Sequence, residues 1–155
     1  MNQKKKFALA GGGYCLYAPR FPRFLEAPGF PDEAHIGNAL VPSVFFLSFL
    51  ENGKPLALQC KQVVHEHGRA LFTFEEAGGL KITERRLVAQ DDRFVSEIEL
   101  TNTAKGDREI TVVQWTTTDP EGEPVSLEGD SFRIRRMLKT GDTADVPADI
   151  HYSSP

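Results

Sequence analysis

The chain has 155 residues, of which 40% are hydrophobic and 26% are charged, and its formal net charge is −4. This length suits a single domain with a buried core, and the composition is not that of a disordered chain. A nucleic-acid-binding module normally carries a basic excess, so the acidic balance argues against that class and against a nucleic-acid partner.

The N-terminus imitates the start of a secretory signal without completing one. Three lysines at 4–6 precede an apolar run over 7–10, which the glycines at 11–13 end far short of the roughly 7–15 apolar residues that a signal peptide needs. No segment approaches the roughly 18 apolar residues of a membrane helix. We therefore predict a cytoplasmic protein with no membrane partner, in which Cys15 and Cys60 are free thiols.

The first predicted element is a glycine-interrupted strand over 7–17, with a bulge or bend at 11–13. It leads into a long loop over 18–40, where four prolines prevent both a helix and continuous strand pairing. Long ordered loops in compact domains tend to be functional. The aromatic Phe24 and the imidazole of His35 make this loop a candidate contact surface.

From residue 43 onward the pattern is that of short strands joined by turns. Residues 43–50 are apolar on both faces, which predicts a central strand, and Asn52-Gly53 predicts a tight hairpin. Three strand-like segments over 80–118 predict an antiparallel meander, and the apolar phase shifts at 84–86, which predicts a β-bulge there. The roughly nine or ten strands and the absence of a helical pattern predict an all-β antiparallel β-sandwich.

Trp115 is the only tryptophan, and it shares a predicted strand face with Thr111 and Val113. An exposed indole beside hydroxyl groups is what a sugar-stacking platform needs. The opposite face carries Ile110 and Val112, which also favour burial. A strand covered on both sides, with Trp115 in the core, is therefore the interpretation that we favour.

His65 and His67 would share one face of a strand, where two imidazoles can chelate zinc. The spacing fixes no third ligand, although His35 and Asp32 of the loop are candidates, so we predict neither a metal nor a cofactor. A basic set and the acidic residues on neighbouring segments predict cross-strand ion pairs on a solvated face: Arg85, Arg86, Arg133, Arg135, Arg136 and Lys139 with Glu84, Glu97, Glu99 and Glu109. No nucleophile motif is present, and we predict no catalytic residue in this chain.

One stretch has a family resemblance. It comprises Arg86 to Thr103, with Asp91-Asp92-Arg93-Phe94 at the start of a strand and Leu100-Thr101-Asn102 at its end, and it continues from Arg108 to Trp115. It resembles the N-terminal β-sandwich, the galactose-mutarotase-like supersandwich, that precedes the (α/α)6 barrel of bacterial glycoside hydrolases and carbohydrate phosphorylases. The resemblance covers residues 80–138. Asn102 is expected to close a turn with its side chain.

The resemblance implies a non-catalytic accessory domain that packs on a catalytic barrel domain, forms a homodimer or binds a carbohydrate weakly. In that interpretation Trp115 and Tyr14 are candidate carbohydrate-stacking residues, and Phe24 and His35 extend the contact surface. A mutarotase-like sugar enzyme, in which a histidine and a carboxylate move protons on the sugar, is the alternative, and a ligand-free protein-interaction module is another. A single domain over 1–155 and a fragment of a longer carbohydrate-active protein both stay open.

Overall fold

The computed structural model describes residues 8–19, 27–118, 122–140 and 145–154. Within these ranges the chain forms fifteen β-strands and no helix. The strands are β1 (Leu9–Ala10), β2 (Cys15–Tyr17), β3 (Gly29–Phe30), β4 (Ala34–Ile36), β5 (Ala39–Val41), β6 (Phe45–Glu51), β7 (Lys54–Pro55), β8 (Gln59–Glu66), β9 (Arg69–Glu76), β10 (Leu80–Val88), β11 (Phe94–Asn102), β12 (Thr111–Trp115), β13 (Val125–Glu128), β14 (Ser131–Leu138) and β15 (Val146–Ser153). Accordingly, the described part of the chain holds no helix that is long and apolar enough to cross a membrane.

The strands pair antiparallel in four sheets. Sheet A has the order β1-β2-β4-β5, sheet B the order β12-β6-β3 with β7 also paired to β6, sheet C the order β11-β10-β9-β8, and sheet D the order β13-β14-β15. The all-β antiparallel class is therefore confirmed. The four sheets form a propeller-like ring of four blades and not the two stacked layers of the predicted sandwich. Alternation along the chain identifies strands, but it does not say which strands share a sheet.

The predicted long loop over 18–40 was wrong from Gly29 onward. Three short strands, β3 to β5, fall in that part of the chain, and β3 to β5 contribute to sheets A and B. Pro28 and Pro31 flank β3 directly, so each proline does end strand pairing, yet two or three residues suffice for a short strand between them. The predicted contact residue Phe24 lies outside the described residues.

The structure contains a meander, but it begins and ends earlier in the chain than the predicted range of 80–118. Strands β8 to β11 pair in sequence order in sheet C, whereas β12 leaves that sheet and pairs with β6 of sheet B. The strand β6 is central in sheet B, as its apolar character on both faces predicts. Asn52, with φ 51°, and Gly53, with φ 72°, form the predicted hairpin turn between β6 and β7.

The strand β10 is regular, and the bulge predicted at 84–86 was wrong. Its register runs without interruption against both β9 and β11, and every second residue from Leu80 to Val88 is buried. Glu84 and Arg86 take two of those inward positions. The apparent phase shift therefore reflects charged residues in the interior and not an extra residue in the strand.

The ring of Phe30 lies where three sheets meet. Its centroid is 4.9 Å from that of Tyr17 in sheet A, 5.4 Å from Phe45 in sheet B and 5.3 Å from Phe94 in sheet C, each in edge-to-face geometry. Such aromatic pairs add about 0.5–1.5 kcal/mol each beyond the burial of their area. The short strand β3 thus contributes a single aromatic side chain that contacts residues of three of the four sheets.

The glycines at 11–13 form a bend that fits against the turn between β10 and β11. A Cβ on Gly11 would lie 2.2 Å from the carbonyl oxygen of Ala89, and a Cβ on Gly13 would lie 2.3 Å from Oδ1 of Asp92. The same Asp92 oxygen accepts the backbone N–H of Cys15 at 2.7 Å. The bend predicted at these glycines is confirmed, and its cause is close approach of two backbone segments.

Candidate functional site

Trp115 is the last residue of β12, which is the edge strand of sheet B among the described strands. Its ring stacks on that of Phe46, its cross-strand neighbour, with centroids 4.3 Å apart and an angle of 12° between the planes. The indole Nε1–H donates to Oγ of Ser48 at 2.9 Å. The side chain is 41% exposed, so the core position that the sequence favoured for Trp115 was wrong.

This indole lies on the outer face of sheet B. The alternate residues Phe45 and Phe49 of β6 are buried, and they define the inner face. We call the opposite side the Trp115 face; its side chains come from Phe46, Ser48, Leu50, Thr111, Val113 and Trp115. None of these six side chains is ionisable, and Gly29, which pairs with Phe46 on the other side, adds no side chain. The face therefore combines apolar surface with hydroxyl groups.

The candidates Tyr14 and His35 lie together on a different sheet. His35 pairs with Leu16 and Leu40 in sheet A, on the side opposite the buried inner residues of that sheet. Tyr14 is 79% exposed, and its backbone carbonyl accepts the N–H of Gly37 at 2.8 Å, which places it beside the turn that follows His35. Tyr14 and His35 thus share a surface of sheet A, whereas Trp115 belongs to sheet B.

The histidines weighed for zinc are not joined by a third ligand. His65 is exposed on β8, and His67 lies in the turn after that strand. Glu66 between them makes an ion pair with Arg69, in which Nε and Oε2 are 2.5 Å apart. Across residues 8–19, 27–118, 122–140 and 145–154, no three histidine, cysteine or carboxylate side chains are grouped as a metal site requires.

A buried ion pair in β10 is the feature that sequence reasoning missed. Arg86 Nη2 donates to Glu84 Oε2 at 2.8 Å, and both side chains are at most 1% exposed. The guanidinium also donates to the carbonyl of Ala27 at 2.5 Å and lies 3.7 Å from the centroid of the Phe72 ring. The solvated face predicted for these charges was therefore wrong. Their signal in the sequence is that both stand at alternate positions of an otherwise apolar strand face.

The carboxylate of Glu84 connects β10 to two neighbouring segments. Its Oε1 accepts the backbone N–H of Gly29 at 2.8 Å and the hydroxyl of Ser96 at 2.6 Å. The hydroxyl of Tyr17 accepts from Arg86 at 3.4 Å, and burial raises the pKa of Tyr17 to about 12. Because no substrate can reach side chains this deeply buried, the arrangement serves the fold.

Arg108 forms a second polar junction, between sheets B and C. It makes a bidentate pair with Glu51, at 2.8 Å for both bonds, and donates to Glu76 Oε2 and to the carbonyl of Gly78 at 3.1 Å. The Arg108 hydrogen bond lowers the pKa of Glu51, and the N–H of Gly78 together with Arg108 lowers the pKa of Glu76. The guanidinium therefore holds the ends of β6 and β9 together.

Arg136 forms a third junction, between sheets D and B. Its side chain is buried in β14, so the solvated position predicted for Arg136 was wrong. Its Nη2 donates to the carbonyl of Thr117 and, at 3.2 Å, to Oγ1 of Thr116. Oγ1 of Thr116 itself donates to the carbonyl of Val44 at 2.9 Å. The inner faces of sheets B and D thus meet at the end of β12.

Beyond these junctions, three strands that lie at sheet edges among the described strands carry apolar inner-face side chains that are partly exposed to solvent. We call the four residues concerned the open core edge: Leu100 of β11 (40% exposed), Val112 of β12 (45%), Val125 of β13 (52%) and Leu127 of β13 (84%). Their cross-strand neighbours include Ile82, Phe49 and Ile134, which are almost completely buried. Each of these positions therefore continues a core face into water.

Comparison of the chain with protein-family models, with curated proteins and with solved structures gave no match. The resemblance to supersandwich domains therefore stays a prediction. The functional proposals for the chain rest on the exposed inner-face residues of the open core edge, which lie on three sheets, and on the Trp115 face.

Proposed function

We propose that this chain is a non-catalytic accessory β domain of carbohydrate-active machinery, which packs on a catalytic partner domain. The open core edge is the observation that supports this proposal. An apolar side chain that continues a core face gains most when another element covers it. Burial of a valine or leucine side chain is worth about 1.5–3 kcal/mol, before the costs of association are subtracted.

The chemistry of the edge indicates what would cover it. The inner faces next to Leu100 and Val112 carry the uncharged residues Asn102, Gln114 and Thr116. The charged side chains close to the edge are already paired, Glu51 with Arg108 and Arg136 with Glu123. Buried charges without partners are costly, so an edge whose charged neighbours are already paired fits an apolar partner surface and not a charged one. The link to carbohydrate enzymes comes from the supersandwich resemblance, which implies a helical barrel as that partner.

The polar clusters favour an accessory role over catalysis. Glu84 and Arg86 bond to each other below the surface, and Glu51 and Glu76 are held by Arg108. A general acid or base must reach the proton that it transfers. Each of these groups is instead engaged in joining two parts of the fold.

The proposal is tested with purified (α/α)6-barrel domains of glycoside hydrolases and carbohydrate phosphorylases from the organism that encodes this chain. We expect the purified chain to bind one of these domains and Leu127→Lys to weaken binding at least tenfold, because a charge would enter an apolar contact. Met137→Lys is the matched control, since Met137 is 49% exposed but lies on the outer face of sheet D. Calorimetric titration measures both variants. Equal affinity of the two would contradict the proposed packing.

A second copy of this chain is the competing occupant of the edge. Sedimentation velocity across a range of protein concentrations distinguishes it from a catalytic partner. A dimer that Leu127→Lys dissociates would assign the edge to self-association and remove the reason to invoke a barrel.

A further inference from the structure

We infer that the Trp115 face binds neutral glycans, with the free side of the indole stacked against a sugar ring. This inference goes beyond the partner packing proposed above, since Trp115 and Val112 project from opposite faces of β12.

The indole is already held in one position before any ligand arrives. Phe46 covers one of its two faces, and the hydrogen bond from Nε1 to Ser48 fixes its edge. Since the N–H is engaged within the protein, a ligand that displaces water leaves no unpaired donor behind. A rigid aromatic ring with one satisfied polar group is a suitable platform for the C–H side of a pyranose.

The second face of the indole is accessible because of the strand order. Phe46 reaches Trp115 from β6 on one side, and among the described strands nothing pairs with β12 on the other side. Trp115 is 41% exposed, and we infer from the open strand edge that the exposed part includes the ring surface that points away from Phe46. A sugar ring can approach that surface from the edge of the sheet.

The surroundings select the class of ligand. Oγ of Ser48 accepts from the indole and still carries a proton to donate, and the hydroxyl of Thr111 lies on the same face. Thr111 is four residues from Trp115, a distance of about 13 Å along a strand, so a ligand that touches both is longer than one sugar ring. With no ionisable side chain on the face, an acidic or phosphorylated sugar gains no ion pair. The ligand class is therefore a neutral oligosaccharide.

The test uses maltohexaose and cellohexaose as neutral probes and a galacturonate hexamer as the acidic one. We expect a saturable change in Trp115 fluorescence with a neutral hexamer, with a Kd on the order of 1 mM, as suits a single stacking residue. The acidic hexamer should bind at least fivefold more weakly. Absence of a response to both neutral probes, or tighter binding of the acidic one, overturns the inference.

Variants locate the binding by calorimetry, which does not need the tryptophan. Trp115→Ala should weaken binding at least tenfold, and Val112→Ala, on the other face of the same strand, should leave it unchanged. Trp115→Phe keeps a flat ring should the alanine variant fail to fold, and it should retain more than a third of the affinity. Full binding by a folded Trp115→Ala variant overturns the inference.

The outcome is separable from that of the partner proposal. Leu127→Lys should leave glycan binding unchanged, because Leu127 belongs to sheet D. If Leu127→Lys abolishes partner binding while no glycan binds, the accessory function stands and this inference falls. If Trp115→Ala weakens partner binding and no glycan binds, the Trp115 face is a protein contact and the inference is again overturned.

Discussion

At the scale of single residues, Glu84 and Arg86 occupy inward positions of β10 whose other occupants are apolar. Taking two charges out of water is expensive, and their attraction repays that cost only when the remaining hydrogen-bonding groups are also satisfied. Here Gly29 and Ser96 supply donors to the carboxylate, and Ala27 supplies an acceptor to the guanidinium, whose buried Nε has no hydrogen-bond partner among the described residues. The pair is therefore sensitive to the loss of either member.

Glu84→Gln should lower the free energy of unfolding by about 3–5 kcal/mol, since it leaves the Arg86 charge buried without a carboxylate. Urea denaturation at pH 7 measures the change. Arg85→Gln is the neighbouring control: Arg85 pairs with Glu97 on the exposed side of the sheet, and such pairs contribute about 0–1 kcal/mol. Similar decreases in the free energy of unfolding of the two variants would show that the buried pair contributes no more to stability than the exposed one.

A side chain's hydrogen bonds could be predicted from the sequence where its partners are backbone groups a few residues away. Asn102 closes the turn as expected: its Oδ1 accepts the N–H of Ala104 at 3.0 Å, and its Nδ2 donates to the carbonyl of Gly106 at 2.8 Å. The buried pair could not be predicted in the same way. Alternation assigns charged residues to the solvent side, and only the tertiary partners of Glu84 reverse that assignment.

At the scale of elements, Arg108 joins the ends of β6 and β9 through two carboxylates whose pKa values are lowered. A carboxylate with a lowered pKa in the folded state contributes stability above its ordinary pKa, here 4.5, and that contribution is lost as the pH falls through the lowered value. The junction between sheets B and C should therefore weaken in acid.

Arg108→Gln should reduce the urea midpoint at pH 7, and the difference from the unmodified chain should shrink progressively as the pH falls below 4.5. The effect at pH 7 follows because the variant removes the guanidinium that the two carboxylates attract. The effect in acid follows because protonated Glu51 and Glu76 no longer attract it. Lys105→Gln removes one positive charge from the adjoining exposed turn and should cause little change at either pH. A gap that stays constant between pH 7 and pH 3 would refute the acid sensitivity of this junction.

Strands with a local signal could be predicted, and strands defined by distant partners could not. The hairpin at Asn52 and Gly53 follows from backbone conformations that few other residues adopt. By contrast, β3 has two residues and no alternation to detect, yet it carries Phe30 into the centre of the fold. The pairing of β12 with β6 spans about sixty residues, and its alternation is equally compatible with pairing to β11.

At the scale of the whole molecule, the sheets share their interior and should unfold together. Phe30 contacts three sheets, and Glu84, Arg108 and Arg136 connect segments that are distant in sequence. Fold class could be predicted from the many short strands. Their division into four sheets could not, because it depends on which strands pair across long separations.

Cys15 in sheet A and Trp115 in sheet B provide two probes of this cooperativity. Burial, followed by the negative charge of Asp92, raises the pKa of Cys15 to about 11, so at pH 8 the folded chain keeps that thiol protonated and covered. In a urea series, thiol labelling of Cys15 should begin at the concentration at which Trp115 fluorescence changes, while the half-buried Cys60 reacts earlier. Labelling of Cys15 well below that concentration would show that sheet A opens separately.

The raised thiol pKa also predicts the direction in which the stability of the folded chain changes at alkaline pH. The folded chain holds the Cys15 proton more tightly than the unfolded chain does, so the associated stability is complete below the ordinary thiol pKa of 9.0 and is lost as the pH rises toward about 11.

The ion pair of β10 also disfavours pairing of this strand in a shifted register. If β10 slipped by one position against its neighbours, the side chains turned inward would include Lys81 and Arg85, and Glu84 and Arg86 would lose the partners that they have in the interior. The same slip would expose Ile82 to water. Such a misaligned sheet could not close over its interior and would have to separate and pair again. The interior partners of Glu84 and Arg86, together with the charges on the other face, therefore favour one alignment of the strand over its nearest competitors.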